Sequence, residues 1–299
     1  MIRLLRLFCV LLALILCAGC SALPEPSSEA VPTAVPESPA PTPEPSPTPD
    51  PTPEPTAAPT PTPTPEPTPE PITEERLDSG EFDSCFDNTL FLGDSITDMF
   101  AGYVRKCRQT DEDFLGGAQL FGATSMSVKF ACQDRPSNGG ISFRYRGRAV
   151  SITEHISESG ADTVFILLGV NDLDCRTQES VEGYFAQLID VIREKCPDVK
   201  IVMQGVLPVT ERFCRSRKVG IERWNGFNKV LSGICEEHGA AFLDFSADLM
   251  DENGYLPGSL SSDKEYHLND AGNAIWVRAL RLYAAQQMYP DAEVLVPGA

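Results

Sequence analysis

The sequence predicts an α/β domain built on a parallel sheet that is covered on both faces. Three observations carry this. Apolar runs too continuous to be half exposed stand at residues 89–92 and 163–168, as strands buried on both faces require. Each runs straight into a turn containing glycine, Gly93-Asp94-Ser95-Ile96-Thr97 after the first and Gly169-Val170-Asn171-Asp172 after the second. Strand and helix patterns then alternate five times along residues 74–299, the signature of a parallel sheet between two helical layers.

The elements follow in order. From the turn at Ser95 a helix is predicted over residues 98–108, then a short strand over 119–121 that ends at Gly122-Ala123-Thr124. Residues 125–150 read as irregular, with a turn cluster at 136–140. Residues 151–159 have Ile152 and Ile156 one helical turn apart and read as a helix. After the strand at 163–168, a long helix over 178–195 is stopped at Cys196-Pro197, and residues 199–204 form the next strand. A helix over 221–238 ends at Gly239, as a left-handed terminator should, and 241–244 make a fifth strand. The last helix spans 270–288.

Residues 1–20 are of another kind. Arg3 and Arg6 precede an apolar stretch from Leu4 to Leu16 and a small-residue ending, Ala18-Gly19-Cys20, the layout of an export signal. The ending resembles a bacterial lipoprotein signal, which implies lipidation of Cys20 and a membrane anchor through it, although Cys17 stands where such signals usually carry leucine. An ordinary cleaved signal and an uncleaved anchor are the alternatives, and each places the rest outside the cytoplasm. Residues 21–73 repeat Pro-Thr-Pro and Pro-Glu-Pro with almost no apolar bulk. Such a stretch cannot pack a core and is expected to be an extended tether, at ~3 Å per residue where it is polyproline II.

The signal holds two bases and the linker eight acids, so residues 74–299 carry 22 bases against 35 acids, a formal −13. That argues against nucleic acid or anionic lipid as a partner, since phosphate binding needs clustered Lys and Arg. The basic run Arg144-Tyr145-Arg146-Gly147-Arg148 is the exception and reads as a solvated face or a contact for an anionic wall polymer. Seven cysteines follow Cys20, an odd number without CxxC or Cys/His spacing. Buried thiols are expected, with up to three disulfides left open and no metal or redox role.

Three residues then point to chemistry. Ser95 sits where a buried strand gives way to a helix, beside unpaired backbone N–H groups that favour developing negative charge. Asn171 leaves the second strand at the same edge. His267 lies on a loop before the last helix, whereas His155 and His238 fall in helical segments and read as structural. Asp172 and Asp174 read as helix-entrance caps rather than a calcium site, and Trp224 and Trp276 as core residues.

On Gly93-Asp94-Ser95, Gly122, Gly169-Val170-Asn171-Asp172 and His267-Leu268-Asn269, residues 74–299 resemble the SGNH/GDSL hydrolase family. The resemblance implies a three-layer α/β/α, flavodoxin-like fold with a five-stranded parallel sheet, and a serine esterase that needs no cofactor or metal. It implies Ser95 as nucleophile, His267 as general base, and Ser95 N–H, Gly122 N–H and the Asn171 amide as an oxyanion hole. Family members usually carry Asp three residues before the histidine. Here Lys264 holds that place, with Asp263 before it and Glu265 after. Asp263 is expected to orient His267 if the loop bulges by one residue, with Glu265 or a backbone carbonyl as alternatives. The expected function is extracytoplasmic hydrolysis of short acyl esters, acetyl above all, on carbohydrate or cell-wall polymer. A lipid-directed esterase or lysophospholipase, or an inactive tethered carbohydrate-binding module, are the rivals.

Overall fold

The computed structural model describes residues 69–297. The expected signal segment with Cys20, and the Pro/Thr-rich stretch as far as residue 68, lie outside the described residues. The first element among the described residues is β1 (Ile72–Thr73), two residues before the expected end of the linker, and its Ile72 side chain is fully buried. Thr73 caps α1 (Glu74–Asp78) through its hydroxyl.

The first long strand, β2 (Thr89–Gly93), is buried along its whole length and runs into α2 (Ser95–Cys107). That helix begins three residues before the expected start, because Asp94 caps it and Ser95 is already helical. β3 (Gln119–Gly122) follows. The expectation that residues 125–150 are irregular is corrected here. They hold α3 (Val128–Ala131) and an antiparallel hairpin of β4 (Phe143–Tyr145) and β5 (Arg148–Val150). The hairpin turns at Arg146 and Gly147, both with positive φ. Its outward residues are arginines while Phe143, Tyr145 and Val150 point inward, so only half of it carries an apolar signal.

α4 (Ile152–Ser159) starts at a capping box made by Ser151 and Glu154, and β6 (Thr163–Leu167) follows. α5 (Val170–Leu173), α6 (Gln178–Lys195) and β7 (Lys200–Gln204) come next. The expected helix over 221–238 is also corrected: it is divided at Gly226 into α8 (Glu222–Asn225) and α9 (Phe227–Glu237), and α7 (Glu211–Arg217) precedes it. β8 (Ala241–Leu243), α10 (Asp270–Met288) and β9 (Val294–Leu295) complete the chain, β9 pairing with β1.

The central sheet has the order β3-β2-β6-β7-β8, every pair parallel. α10 packs with α1 and α2 on one face, and α6 with α4 and α9 on the other. This is the expected three-layer fold. Chain connections diverge between β2 and β6, so the crevice at their carboxyl ends is the topological switch point, where such sheets bind ligands.

The core beneath that crevice is aromatic. Phe91 of β2 stacks on Phe165 of β6 at 4.8 Å between ring centres, and Phe100 of α2 stacks on Trp276 of α10 at 4.0 Å. Both tryptophans are buried, as expected of core residues. One ion pair is also inside: Arg281 donates to both oxygens of Asp83, at 2.7 and 2.6 Å, and to the Leu77 carbonyl. All seven cysteines in the described residues are free thiols, so the disulfides left open by the sequence are not made. Burial pushes Cys132 up to about 11 and Cys235 to about 12, which keeps both protonated and inert at neutral pH.

His155 is the least accommodated core residue. Its ring lies 4.5 Å from that of Phe121 and 4.8 Å from that of Tyr145, and neither nitrogen has a hydrogen-bond partner among the described residues. Burial lowers its pKa from 6.5 to about 4. The unfolded chain therefore binds a proton at a pH where the folded chain does not. Stability from this residue is complete above about pH 6.5 and declines as pH falls toward 4. His155→Leu is expected to flatten the fall in unfolding free energy over that interval, measured by urea titration at several pH values; an unchanged slope would refute the assignment.

Candidate active site

The site is assembled at the carboxyl ends of β2, β3 and β6. Ser95 is the first residue of α2, so its N–H has no intrahelical partner, and none accepts from it among the described residues. Asp94, the N-cap, is completely buried. Its Oδ1 accepts from Ile96 N–H at 2.9 Å and its Oδ2 from the Asn171 amide at 3.0 Å. Burial drives its pKa up to about 7, against the pull of the Ile96 hydrogen bond and with the nearby Asp172 charge adding to the rise.

Asn171 stands in α5, directly after the β6 exit. Gly169 makes that exit possible, since its φ of +119° is foreign to other residues and a Cβ would meet Val206 Cγ2 at 2.7 Å. The Asn171 amide donates to Asp94 and also to the Met126 carbonyl at 3.0 Å. Both of its hydrogens are thus engaged. Asp172, also fully buried, accepts from Val128 N–H at 2.8 Å and from Arg176 Nε at 3.0 Å. It holds the first N–H of α3, whose N-cap is Ser127, and so fixes the loop that supplies the Met126 carbonyl. Asp174 instead faces Arg217 at 3.6 Å.

Gly122 lies beside Ser95 because β3 pairs with β2 in the register Gly93 to Gly122. Ala123 N–H donates to the Gly93 carbonyl, and the parallel ladder alternates, so Gly122 N–H points off the open edge of the sheet. Its α-carbon presses on the first turn of α2: a Cβ would fall 2.3 Å from Asp98 N and 2.4 Å from the Asp94 carbonyl oxygen.

His267 reaches this cluster from a separate loop. Its Nε2 is 2.8 Å from Ser95 Oγ and its Nδ1 is 2.5 Å from Asp263 Oδ2. Asp263 comes within reach because Lys264 takes a left-handed φ of 64°, which folds the loop back by the one residue its spacing requires. Asp263 Oδ1 accepts from the N–H of Glu265 at 2.7 Å, of Tyr266 at 3.2 Å and from the Ser261 hydroxyl at 3.1 Å. Partial burial raises its pKa, but the His267 hydrogen bond and the Glu265 N–H outweigh it and hold the carboxyl below its usual range. Asp263 is therefore ionised beside the imidazole at neutral pH. Glu265 joins the loop through its backbone, donating to Asp263 and accepting from Thr210 N–H at 2.8 Å.

Two supporting residues escaped the sequence reading. Thr210 donates its hydroxyl to the Lys264 carbonyl at 2.7 Å, which pins the strained turn. Tyr266 lays its ring 4.5 Å from that of His267 and edge-on to Phe213. Neither carries a local sequence signal, because each acts through a partner more than fifty residues away or through ring packing.

Comparison with known proteins supplies the family and the fold. The family described as GDSL-like lipase/acylhydrolase matches residues 91–275. No curated protein matches the sequence. Among solved structures, one reported as an acylhydrolase from Bacteroides fragilis NCTC 9343 superposes with a TM-score of 0.52 at 14% identity, over 74% of this chain and 92% of that one. A GDSL-like lipase from Bacteroides thetaiotaomicron VPI-5482 gives 0.50 at 13% identity, over 71% and 98%. At these identities the structures speak for the fold alone.

The close approach at Gly122 makes a test. Gly122→Ala is expected to cost about 1–3 kcal/mol of stability through overpacking and, by displacing the Ser95 turn, about 100-fold in ester turnover. Denaturant titration and an esterase assay on the same preparation would check both; unchanged turnover would mean that the α2 turn does not depend on this contact.

Proposed function

Because the chain belongs to the GDSL-like lipase/acylhydrolase family, and is on that ground a carboxylic-ester hydrolase, we propose that it is an extracytoplasmic serine esterase acting through an acyl-enzyme. Its substrates on this reading are short acyl esters, acetyl first, on carbohydrate or cell-wall polymer. The observation that carries the proposal is the continuous relay from Ser95 Oγ to His267 Nε2 at 2.8 Å and from His267 Nδ1 to Asp263 Oδ2 at 2.5 Å.

A serine hydroxyl is too weak an acid to attack an ester unaided. Asp263 holds the proton on Nδ1, which leaves Nε2 free to accept the Ser95 proton as Oγ bonds to the acyl carbon. The carbonyl oxygen becomes an oxyanion between Ser95 N–H and the Asn171 amide; the expected third donor, Gly122 N–H, is directed off the open edge of the sheet and away from them. For Asn171 to contribute, one amide hydrogen must turn from the Met126 carbonyl, and the oxyanion is the stronger acceptor. His267 then passes its proton to the departing alkoxide and the alcohol leaves. Water, deprotonated by the same imidazole, attacks the acyl-serine and releases the acid.

Two features support carbohydrate over lipid. Large hydrophobic side chains exposed among the described residues are Met99, Met288 and Leu295, and Met99 is the one near Ser95. Residues 125–150, where an apolar lid would be expected, instead pack Phe143, Tyr145 and Val150 into the core. The signal-like residues 1–20, ending at Cys20, and the Pro/Thr-rich stretch support a position outside the cytoplasm on a lipid-anchored tether. An inactive module has no physical need to keep Ser95, His267 and Asp263 aligned.

Turnover of p-nitrophenyl acetate by the full chain, with acyl length varied, tests the proposal. Ser95→Ala is expected to lower kcat on the order of 10⁴-fold or more, and Asn171→Ala about 100 to 1,000-fold. Rates should fall as the acyl chain lengthens. Activity retained by Ser95→Ala would sink the mechanism, and a preference for long chains would sink the substrate class.

A further inference from the structure

A groove of about 550 Å³ runs along α2 beside the site, walled on its far side by residues that follow His267 and by the start of α10. Met99, Gly102, Tyr103 and Lys106 line it from α2. They lie four, seven, eight and eleven residues after Ser95, so they share its helix face, and the groove extends to ~16 Å from the nucleophile at 1.5 Å per residue. Opposite are Ser262 and Leu268, which flank His267, and Asn273 of α10. Met99 lies one turn after Ser95 and Leu268 adjoins His267, so the near end of the groove is next to the site, although none of the reacting side chains lines it.

Its chemistry is neutral and mixed. Lys106 and Asp270 cancel each other across it in a 2.6 Å ion pair. Asn269 is spent on capping α10 and on the Ser259 carbonyl. Asn273 is not: it is 4% exposed and lines the groove, yet its side-chain amide makes no hydrogen bond among the described residues. Its polar atoms are open to the groove, and a ligand hydroxyl can both accept from the amide and donate to it. Met99 and the half-buried Tyr103 supply apolar surface from α2, suited to the C–H faces of a sugar ring. An anionic polymer finds no unpaired cation here, and an acyl chain would leave the amide unsatisfied.

We propose that this groove is a glycan cleft, holding a run of neutral pyranose units on the alcohol side of the ester while Ser95 attacks an acyl group at its end. The inference rests on the carbohydrate-ester reading above and adds that the enzyme is built for a chain rather than a single sugar. Binding energy gathered along α2, away from the bond that breaks, would then orient the ester at Ser95.

Gly102 offers a direct test, because a Cβ there meets nothing within 4 Å and a large side chain can occupy the groove without displacing the core. The measurement is kcat/KM of the full chain on O-acetylated cellotetraose and xylotetraose, each divided by its value on O-acetylated glucose or xylose. The wild type is expected to favour at least one tetramer by 10-fold or more, and Gly102→Trp to bring that ratio to near one. Gly183→Trp, on the exposed face of α6, where a Cβ is equally unobstructed, should keep the wild-type ratio. As a second readout, the side-chain amide resonances of Asn273 in Ser95→Ala should shift when unacetylated tetramer is added. A wild-type ratio near one, a ratio untouched by Gly102→Trp, or silent Asn273 resonances would each overturn the cleft while leaving the esterase reading intact. Hydrolysis of p-nitrophenyl acetate with no hydrolysis of any acetylated saccharide would overturn the carbohydrate reading and the cleft together.

Discussion

Asp94 is buried with no cation beside it among the described residues, and the rest of the site is hung from its carboxyl group. One oxygen caps α2 at Ile96 and so fixes the turn that displays Ser95. The other takes the Asn171 amide, which ties the exit of β2 to the exit of β6. A carboxyl there is costly, as its rise to about 7 records. The arrangement persists because both oxygens are satisfied and because the neighbouring Asp172 is itself engaged by Val128 N–H and Arg176. Two buried acids thus connect three loops that are distant in sequence.

This coupling explains what could and could not be seen in the chain. β2 and β6 were legible because strands buried on both faces must be apolar throughout, and their glycine exits were legible because the backbone has to leave the sheet abruptly. Ser95 and Asn171 followed from those exits, whereas His267 was picked out by its loop before the last helix and by the family resemblance. The hairpin from Phe143 to Val150 was not legible, since its exposed positions are arginines and its two strands have three residues each. α7 was hidden for a related reason: Phe213 and Cys214 are its buried residues, and the others are charged or polar. The break at Gly226 was lost in a pattern that continues on both sides of it. Nor does any local signal say that Met126 offers its carbonyl to Asn171, because that contact exists only once Asp172 holds the first N–H of α3.

The histidine loop shows the difference between spacing and geometry most clearly. Counted along the sequence, Asp263 is one residue too far from His267 for the usual family pattern. Lys264 absorbs the surplus by adopting a left-handed conformation, which costs a non-glycine residue about 1 kcal/mol or more. Thr210 holds the Lys264 carbonyl and Glu265 accepts from its N–H, while Asp263 Oδ1 gathers the backbone N–H groups that the turn exposes. The strain is therefore met by hydrogen bonds from within the loop and from the start of α7.

That clamp has a consequence for the base. His267 must hold one tautomer and move little while a proton passes to it and away again. Its Nδ1 is fixed by Asp263, its carbonyl accepts from Ser262 N–H at 2.9 Å, and its ring is covered by Tyr266. Ser262 is also a wall of the groove along α2. A chain seated in that groove would press on the same short loop that positions the imidazole, so recognition of the alcohol side of an ester and orientation of the base would be properties of one segment, residues 261–268. On the cleft proposed above, the ester would be held from the same side as an imidazole that Asp263 and Ser262 already fix.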